Sequence, residues 1–111
     1  MEYMLFIATD GEPDALLEQP GEFDAWVQES AQRGIRKVGN RLQPVDDATT
    51  VRLRAGEVLV TDGPFAESKD WIVGFDIIEC DNLDEAIDYA SRHPMARLGR
   101  IEIRPFWPTE Y

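Results

Sequence analysis

The chain has 111 residues, of which 43% are apolar, a formal net charge of −11 and one cysteine. This length suits a single domain over residues 1–111, the lone Cys80 excludes a disulfide within the chain, and the negative charge disfavours direct binding to nucleic acid phosphates. No apolar run is long enough to cross a membrane, and the apolar stretch after Glu2 is too short for an export signal. We therefore expect a cytoplasmic protein.

The first part of the sequence predicts a strand, a helix and a second strand. Tyr3 to Ala8 is a compact apolar run of the kind found in buried strands. After Pro20, apolar residues recur at helical spacing up to Gly34, which is placed to end the helix. These apolar residues are Phe23, Trp26, Val27 and Ala31. A second strand is expected over Ile35 to Leu42.

The middle of the sequence predicts a hairpin followed by a loop and a strand. Apolar and polar residues alternate from Val51 to Val60, on both sides of the turn-forming pair Ala55-Gly56. A polar loop from Asp62 to Asp70 follows, and the apolar run from Trp71 to Ile78 predicts the next strand.

The last part predicts a helix and a closing strand. Asn82 and Glu85 have the spacing of a capping box, in which the two residues satisfy backbone N–H groups at a helix start. The apolar stripe expected on this helix consists of Leu83, Ala86, Ile87 and Ala90. Pro94 closes the element, and the alternation within Gly99 to Trp107 predicts a strand.

The order of the predicted elements is β-α-β, a hairpin, then β-α-β, which indicates an α+β fold. It matches a ferredoxin-like arrangement with an added β-hairpin. Two helices would cover one face of the antiparallel sheet and leave the other face bare. We expect this chain to form a homodimer through the open sheet face, because so much apolar area is unfavourable in water.

The loop Thr61-Asp62-Gly63-Pro64-Phe65-Ala66-Glu67-Ser68-Lys69-Asp70 resembles the loop after which the DGPF family of YCII-related proteins is named. That family usually continues the tetrapeptide as Ala-Glu-Thr-Lys-Glu, so Ser68 and Asp70 are mild departures. The likeness extends to the first strand, the hairpin and the closing segment Ile101-Glu102-Ile103-Arg104-Pro105. The resemblance implies a dimeric α+β barrel with a cleft near the sheet and this loop.

The family resemblance implies a function that is largely unassigned. Some members lie beside, or are joined to, sigma factors of the extracytoplasmic-function class. A few relatives are enzymes that act on small aromatic compounds through a His–Asp pair, whose histidine lies on the first helix. The segment from Pro20 to Gly34 contains no histidine, so that pair does not carry over to this sequence.

The polar loop offers candidate site residues with two interpretations. In the first, Asp62 accepts hydrogen bonds from backbone N–H groups of the turn, and Phe65 anchors the loop. In the second, Asp62, Phe65, Glu67 and Lys69 bind a small-molecule ligand at the edge of a cleft, and Asp62 transfers a proton. Both interpretations place the loop at the surface, where binding residues are common.

Asp76 and His93 are the other ionisable candidates. Asp76 shares a strand face with Ile72, Gly74 and Ile78, so its carboxylate faces apolar surroundings. Buried and unpaired, it would be a catalytic acid or base, whereas an arginine from the hairpin would make it part of an ion pair. His93 is the one histidine and is expected to be an exposed cap at the end of the second helix.

Two functions follow from these residues. The first is a binding or regulatory module for an unknown small-molecule ligand, which the family resemblance connects to a sigma-factor circuit. The second is a small cofactor-free lyase or isomerase in which Asp62, Asp76 or Lys69 transfers a proton on an aromatic or polar metabolite. Acids near Asp10 do not match a calcium loop, and one histidine and one cysteine far apart do not suggest zinc, so we expect neither metal nor cofactor.

Overall fold

The computed structural model describes residues 1–9, 20–63 and 72–108. These residues form two antiparallel sheets and three α-helices, which makes the fold α+β. The strands are β1 (Glu2–Thr9), β2 (Arg36–Arg41), β3 (Thr49–Arg54), β4 (Glu57–Asp62), β5 (Ile72–Glu79) and β6 (Gly99–Pro105). The helices are α1 (Glu22–Gln32), α2 (Leu83–Arg92) and α3 (Pro94–Leu98). No helix in the described ranges is both long enough and apolar enough to span a membrane.

The larger sheet has the strand order β2-β5-β1-β6, and every neighbouring pair is antiparallel. Side chains alternate between its faces, so Tyr3, Leu5 and Ile7 of β1 all point into the core beneath the helices. On the opposite face, Phe6 pairs with Phe75 across β1 and β5, and both are only partly buried. The sheet therefore has one face packed against helices and one apolar face that no helix of the described residues covers.

Helix α1 has a glycine on either side. The glycine on its C-terminal side was predicted from the sequence. Gly21 precedes the helix with a φ of 76°, and Gly34 follows it with a φ of 69°, a region that favours glycine. Trp26 is the main buried side chain of α1, and its indole N–H donates to the carbonyl of Tyr89 at 2.9 Å. This hydrogen bond joins α1 to α2 across the top of the sheet.

Helix α2 starts with the predicted cap but buries a different face from the one expected. The Asn82 side chain accepts a hydrogen bond from the Glu85 amide at 2.9 Å. Leu83 and Ile87, which belonged to the predicted stripe, are each 49% exposed. The buried face consists of Ala86, Tyr89 and Ala90. The reason is that Tyr89 packs into the core, and this orientation of the helix turns Leu83 and Ile87 towards solvent.

Pro94 starts a helix as well as following one. Helix α2 ends at Arg92, as predicted, but Pro94 then occupies the first turn of the short helix α3. Proline suits this position because the first N–H groups of a helix have no partner within the helix. His93 lies at the junction, and this placement decides the geometry of the site.

Strands β3 and β4 form a hairpin that pairs with no other strand in the described part of the chain. Its turn is Ala55-Gly56, where both residues have positive φ. Val51 pairs with Val60 and Leu53 with Val58, and each of these four side chains is more than 60% exposed. The hairpin is therefore confirmed, and one of its faces is an exposed apolar surface.

Candidate functional site

A cavity of about 310 Å³ opens between the helix-covered face of the larger sheet, the first turn of α1 and the junction of α2 with α3. Its apolar lining comes from Ile7, Phe23, Val73, Phe75, Pro94 and Met95. Its polar lining comes from Thr9, Arg36, Asn40, Arg41, Asp76 and His93. A concave apolar surface with a few converging polar groups is the usual form of a small-molecule site, and this volume is at the small end of that range.

Asp76 is the carboxylate of the cavity. It lies in the middle of β5, is only 3% exposed, and has the buried residues Gly74 and Ile78 on either side along its face. The prediction that this carboxylate faces apolar surroundings is therefore confirmed. Ile72, at the start of the strand, is exposed instead.

An arginine pairs with Asp76, but it comes from β2 and not from the hairpin. The Nε of Arg36 donates to Oδ1 of Asp76 at 2.7 Å. Burial raises the pKa of Asp76 above its ordinary value, and the hydrogen bond and charge of Arg36 oppose that rise. The hairpin arginines Arg52 and Arg54 lie in the separate two-stranded sheet. The carboxylate is thus held by one partner at Oδ1 and turned towards the cavity.

Gly39 makes room for this ion pair. It lies opposite Asp76 in the register of β2 with β5. A Cβ at position 39 would come within 1.9 Å of Oδ1 of Asp76 and 2.7 Å of the Phe75 carbonyl oxygen. Glycine inside a strand often marks such a close approach. Any larger residue would displace the carboxylate.

His93 is buried beside Asp76, which corrects the prediction that it is an exposed helix cap. It is 4% exposed, and its ring lies against Trp26 with centroids 4.6 Å apart and against Phe23 at 5.4 Å. The sequence favoured the exposed cap because a cation stabilises a helix C-terminus. Here the residue instead caps the start of α3, where its Nδ1 accepts a hydrogen bond from the Met95 amide at 3.0 Å.

The surroundings of His93 keep its imidazole neutral. Burial lowers its pKa to about 4, and the positive charge of Arg36 adds to the effect. Because Nδ1 accepts a hydrogen bond, the ring proton of the neutral form is on Nε2. That nitrogen lies 3.8 Å from Oδ2 of Asp76. His93 thus presents an N–H towards the carboxylate.

This arrangement divides the chemistry between the two residues. The lone pair of His93 Nδ1 is engaged by the backbone, so the imidazole is poorly placed to accept a proton from a ligand. Asp76 retains Oδ2, which is not used by Arg36, and burial favours its protonated form. Among the described residues that line the cavity, Asp76 is therefore the group suited to give or take a proton.

Of the predicted loop residues, the structure describes Asp62, which does not belong to this cluster. Asp62 is the last residue of β4, is exposed, and pairs with Thr49 across the hairpin. It does not line the cavity. Phe65, Glu67 and Lys69 lie outside the described residues. The loop assignments therefore stay predictions.

Three residues of the site were missed from the sequence: Arg36, Gly39 and Arg41. Arg36 and Arg41 belong to a basic stretch over residues 31–54, whose charge predicts either a solvated surface or a site for a small anion or an acidic partner surface, and nothing local distinguishes a cavity arginine from an exposed one. Gly39 carried a usable signal, because a glycine within a predicted strand indicates a close approach. Over the described ranges, no three His, Cys, Asp or Glu side chains are grouped to hold a metal ion.

Taken together, the described residues form an α+β fold in which Arg36, Asp76 and His93 give an otherwise apolar cavity a polar centre. The family model for the YCII-related domain matches residues 1–110, so the chain belongs to the YCII-related family. It is also 48% identical over 67 residues to an uncharacterized protein of Rhizobium meliloti (strain 1021). That match covers 59% of this chain and 54% of the relative, so the chain spans about half the length of the curated relative it matches.

Proposed function

We propose that this YCII-related domain binds a small molecule in the cavity around Asp76. The observation that carries the proposal is the buried cluster itself, in which Arg36, Asp76 and His93 converge on an otherwise apolar cavity. Burying Asp76 and His93 beside the partly buried Arg36 costs free energy unless these groups are paired, and a plain structural core does not need them. A bound ligand that uses these groups gives a reason for their position.

The test is a thermal-shift screen with a library of small aromatic and polar compounds, followed by native mass spectrometry of the hits. We expect at least one compound to raise the melting temperature of the wild-type chain. The same compound is expected to lose its effect on the variant Phe23→Asp, which puts a charge in the apolar wall of the cavity. Leu83→Asp is the matched control, since Leu83 is exposed on α2. A library without hits, or hits equally active on Phe23→Asp, would contradict the proposal.

A second candidate function is a cofactor-free lyase or isomerase that uses Asp76 for proton transfer. The specific observation in its favour is that burial raises the pKa of Asp76, a cavity-lining carboxylate whose Oδ2 is not used by Arg36. Recovery of the bound compound unchanged would favour a binding module. Conversion of that compound, abolished by Asp76→Asn while the fold remains intact, would favour the enzyme. Asp62→Asn serves as the companion variant, because Asp62 was the other predicted catalytic residue.

The homodimer of the family, a dimeric barrel of ferredoxin-like halves, is also proposed for this chain. The strand order β2-β5-β1-β6 supports it, as does the open face on which Met4, Phe6, Phe75 and Ile77 are only partly buried. A second copy placed on that face would remove this apolar area from water. The apolar face of the β3–β4 hairpin is a further surface that a second copy could cover.

A regulatory role beside a sigma factor is proposed from the family resemblance alone. Its test is co-purification of this chain with the sigma factor encoded beside it, if the genome has one there. A stable complex that survives gel filtration would support the role, and separate elution of the two proteins would contradict it.

A further inference from the structure

We infer that the ligand of this cavity is a small organic anion, a carboxylate on an aromatic or apolar body, and that Arg41 binds the carboxylate. The inference rests on the proposed small-molecule function and specifies the class of ligand. It starts from a contrast in charge. The chain as a whole carries a net charge of −11, yet the described residues that line the cavity include two arginines and a single carboxylate.

The charges inside the cavity do not all cancel. Arg36 is paired with Asp76 through a 2.7 Å hydrogen bond, and His93 is neutral near pH 7. Arg41 is exposed at the cavity, and its guanidinium has no ion pair with any residue in the described part of the chain. One positive charge is therefore left over among these lining residues. Beside a concave apolar surface, such an unpaired charge raises the local concentration of anions.

The strand register puts Arg41 on the correct side of the sheet. Arg41 lies opposite Gly74, and Gly39 lies opposite Asp76, so these positions of β2 share the face that carries the Asp76 carboxylate. Gly74 has no side chain, so no side chain of β5 stands between Arg41 and Asp76 on this face. Arg41 and Asp76 therefore line the same cavity from the same face of the sheet.

The rest of the lining selects the body of the ligand. Phe23 and Met95 provide aromatic and polarisable surface, which suits a flat apolar group. The volume of about 310 Å³ limits the ligand to a small molecule. Guanidinium and carboxylate have matching planar geometry, and two parallel hydrogen bonds can join them. A monoanion also balances the single excess charge, whereas an amine would meet Arg41 with a like charge.

The test compares benzoate with benzamide, which has nearly the same shape but no charge. Because His93 is the only histidine and lines the cavity, the ¹H NMR signals of its ring report binding at this site. We expect benzoate to shift the ring signals of His93. We also expect the protein to bind benzoate about tenfold more tightly than benzamide, the usual effect of a charge-assisted hydrogen bond. Benzamide that binds as tightly as benzoate would overturn the inference.

Two variants show whether Arg41 is the group responsible. Arg41→Gln is expected to weaken benzoate binding about tenfold and to leave benzamide within twofold, because only the charged interaction is lost. Arg52→Gln on the hairpin removes the same charge away from the cavity and is expected to change neither. Equal weakening by both variants would mean that overall charge, and not Arg41, governs binding, and would overturn the assignment.

The outcomes separate this inference from the proposed function. If neutral library compounds shift the His93 signals while benzoate does not, the anion inference fails and the small-molecule function stands. If neither benzoate nor any library compound shifts them, both fail.

Discussion

The Nε2 of His93 lies 3.8 Å from Oδ2 of Asp76, and both side chains are buried at the wall of the cavity. The two residues are 17 positions apart in the chain and come from β5 and the junction of α2 with α3. The Met95 amide fixes the imidazole on one side, and Arg36 fixes the carboxylate on the other. These two hydrogen bonds hold Nδ1 of His93 and Oδ1 of Asp76, and Nε2 and Oδ2 are left facing each other.

The first prediction concerns the ionisation of His93. Its pKa is about 4 and not the ordinary 6.5, because the charged ring would lose its hydration on burial and would lie near Arg36. The chain has one histidine, so a pH titration of the imidazole ¹H NMR signals observes this residue alone. We expect a midpoint near 4 in the wild type. A midpoint close to 6.5 would show that the ring is solvated and would contradict the buried placement.

The same shift predicts how stability depends on pH. A group whose pKa is lowered by folding stabilises the protein above its unfolded pKa of 6.5, and this contribution is lost as pH falls towards 4. The pKa of Asp76 is raised, so its contribution has the opposite sign and is lost as pH rises above 3.8 through the folded value. The wild type should lose unfolding free energy as the pH falls from neutral to about 4. In His93→Gln this loss should be smaller by on the order of 2–3 kcal/mol. Urea denaturation of both proteins across this range measures it.

The second prediction concerns the pairing of Arg36 with Asp76. Arg36→Met keeps an unbranched side-chain stem but leaves the buried carboxylate without its partner. We expect a loss of about 3 kcal/mol in unfolding free energy at neutral pH, which is typical of a broken buried ion pair. The loss should shrink in acid, because protonated Asp76 does not need the cation. Arg52→Met, on the exposed hairpin, should stay within about 0.5 kcal/mol of the wild type.

A double-variant experiment distinguishes the ion pair from simple packing. Asp76→Asn in the Arg36→Met background removes the uncompensated charge, so it should restore part of the lost stability. If Asp76→Asn instead adds its own full loss to that of Arg36→Met, the two side chains do not depend on each other, and the pairing contributes little.

The strands, two main helices and hairpin were predictable from the sequence because each depends on local patterns. Apolar runs predicted β1 and β5, and Asn82 with Glu85 marked the start of α2. The site depends instead on contacts between distant residues. Arg36 and Asp76 are 40 positions apart and meet only through the β2–β5 register, which includes an irregularity between Arg36 and Val38. One extra residue reverses the faces of a strand, so local reasoning could not assign this partner.

The third prediction concerns Gly39. Gly39→Ala places a Cβ 1.9 Å from Oδ1 of Asp76 and 2.7 Å from the Phe75 carbonyl oxygen. The carboxylate can rotate away, but the backbone oxygen cannot without moving β5. We therefore expect a destabilisation of about 1–3 kcal/mol, as is usual for overpacking, measured by urea denaturation. The combined variant Gly39→Ala with Asp76→Ala should remain destabilised relative to Asp76→Ala alone, because the clash with the backbone persists. Full relief in that background would show that the carboxylate alone needs the glycine.

The last prediction concerns the open face of the larger sheet. Ile77 lies there on β5 beside Val38 of β2, which is 50% exposed, and neither belongs to the core beneath the helices. If a second copy covers this face, the wild type should have the mass of a dimer by light scattering at micromolar concentration. Ile77→Lys would then bury an unpaired charge in the interface and weaken association by on the order of a hundredfold. Leu83→Lys introduces the same residue on the exposed side of α2 and should leave the dimer intact. A monomeric wild type would contradict the dimer outright, and a dimer unaffected by Ile77→Lys would place the interface elsewhere, with the exposed apolar face of the hairpin as the next surface to test.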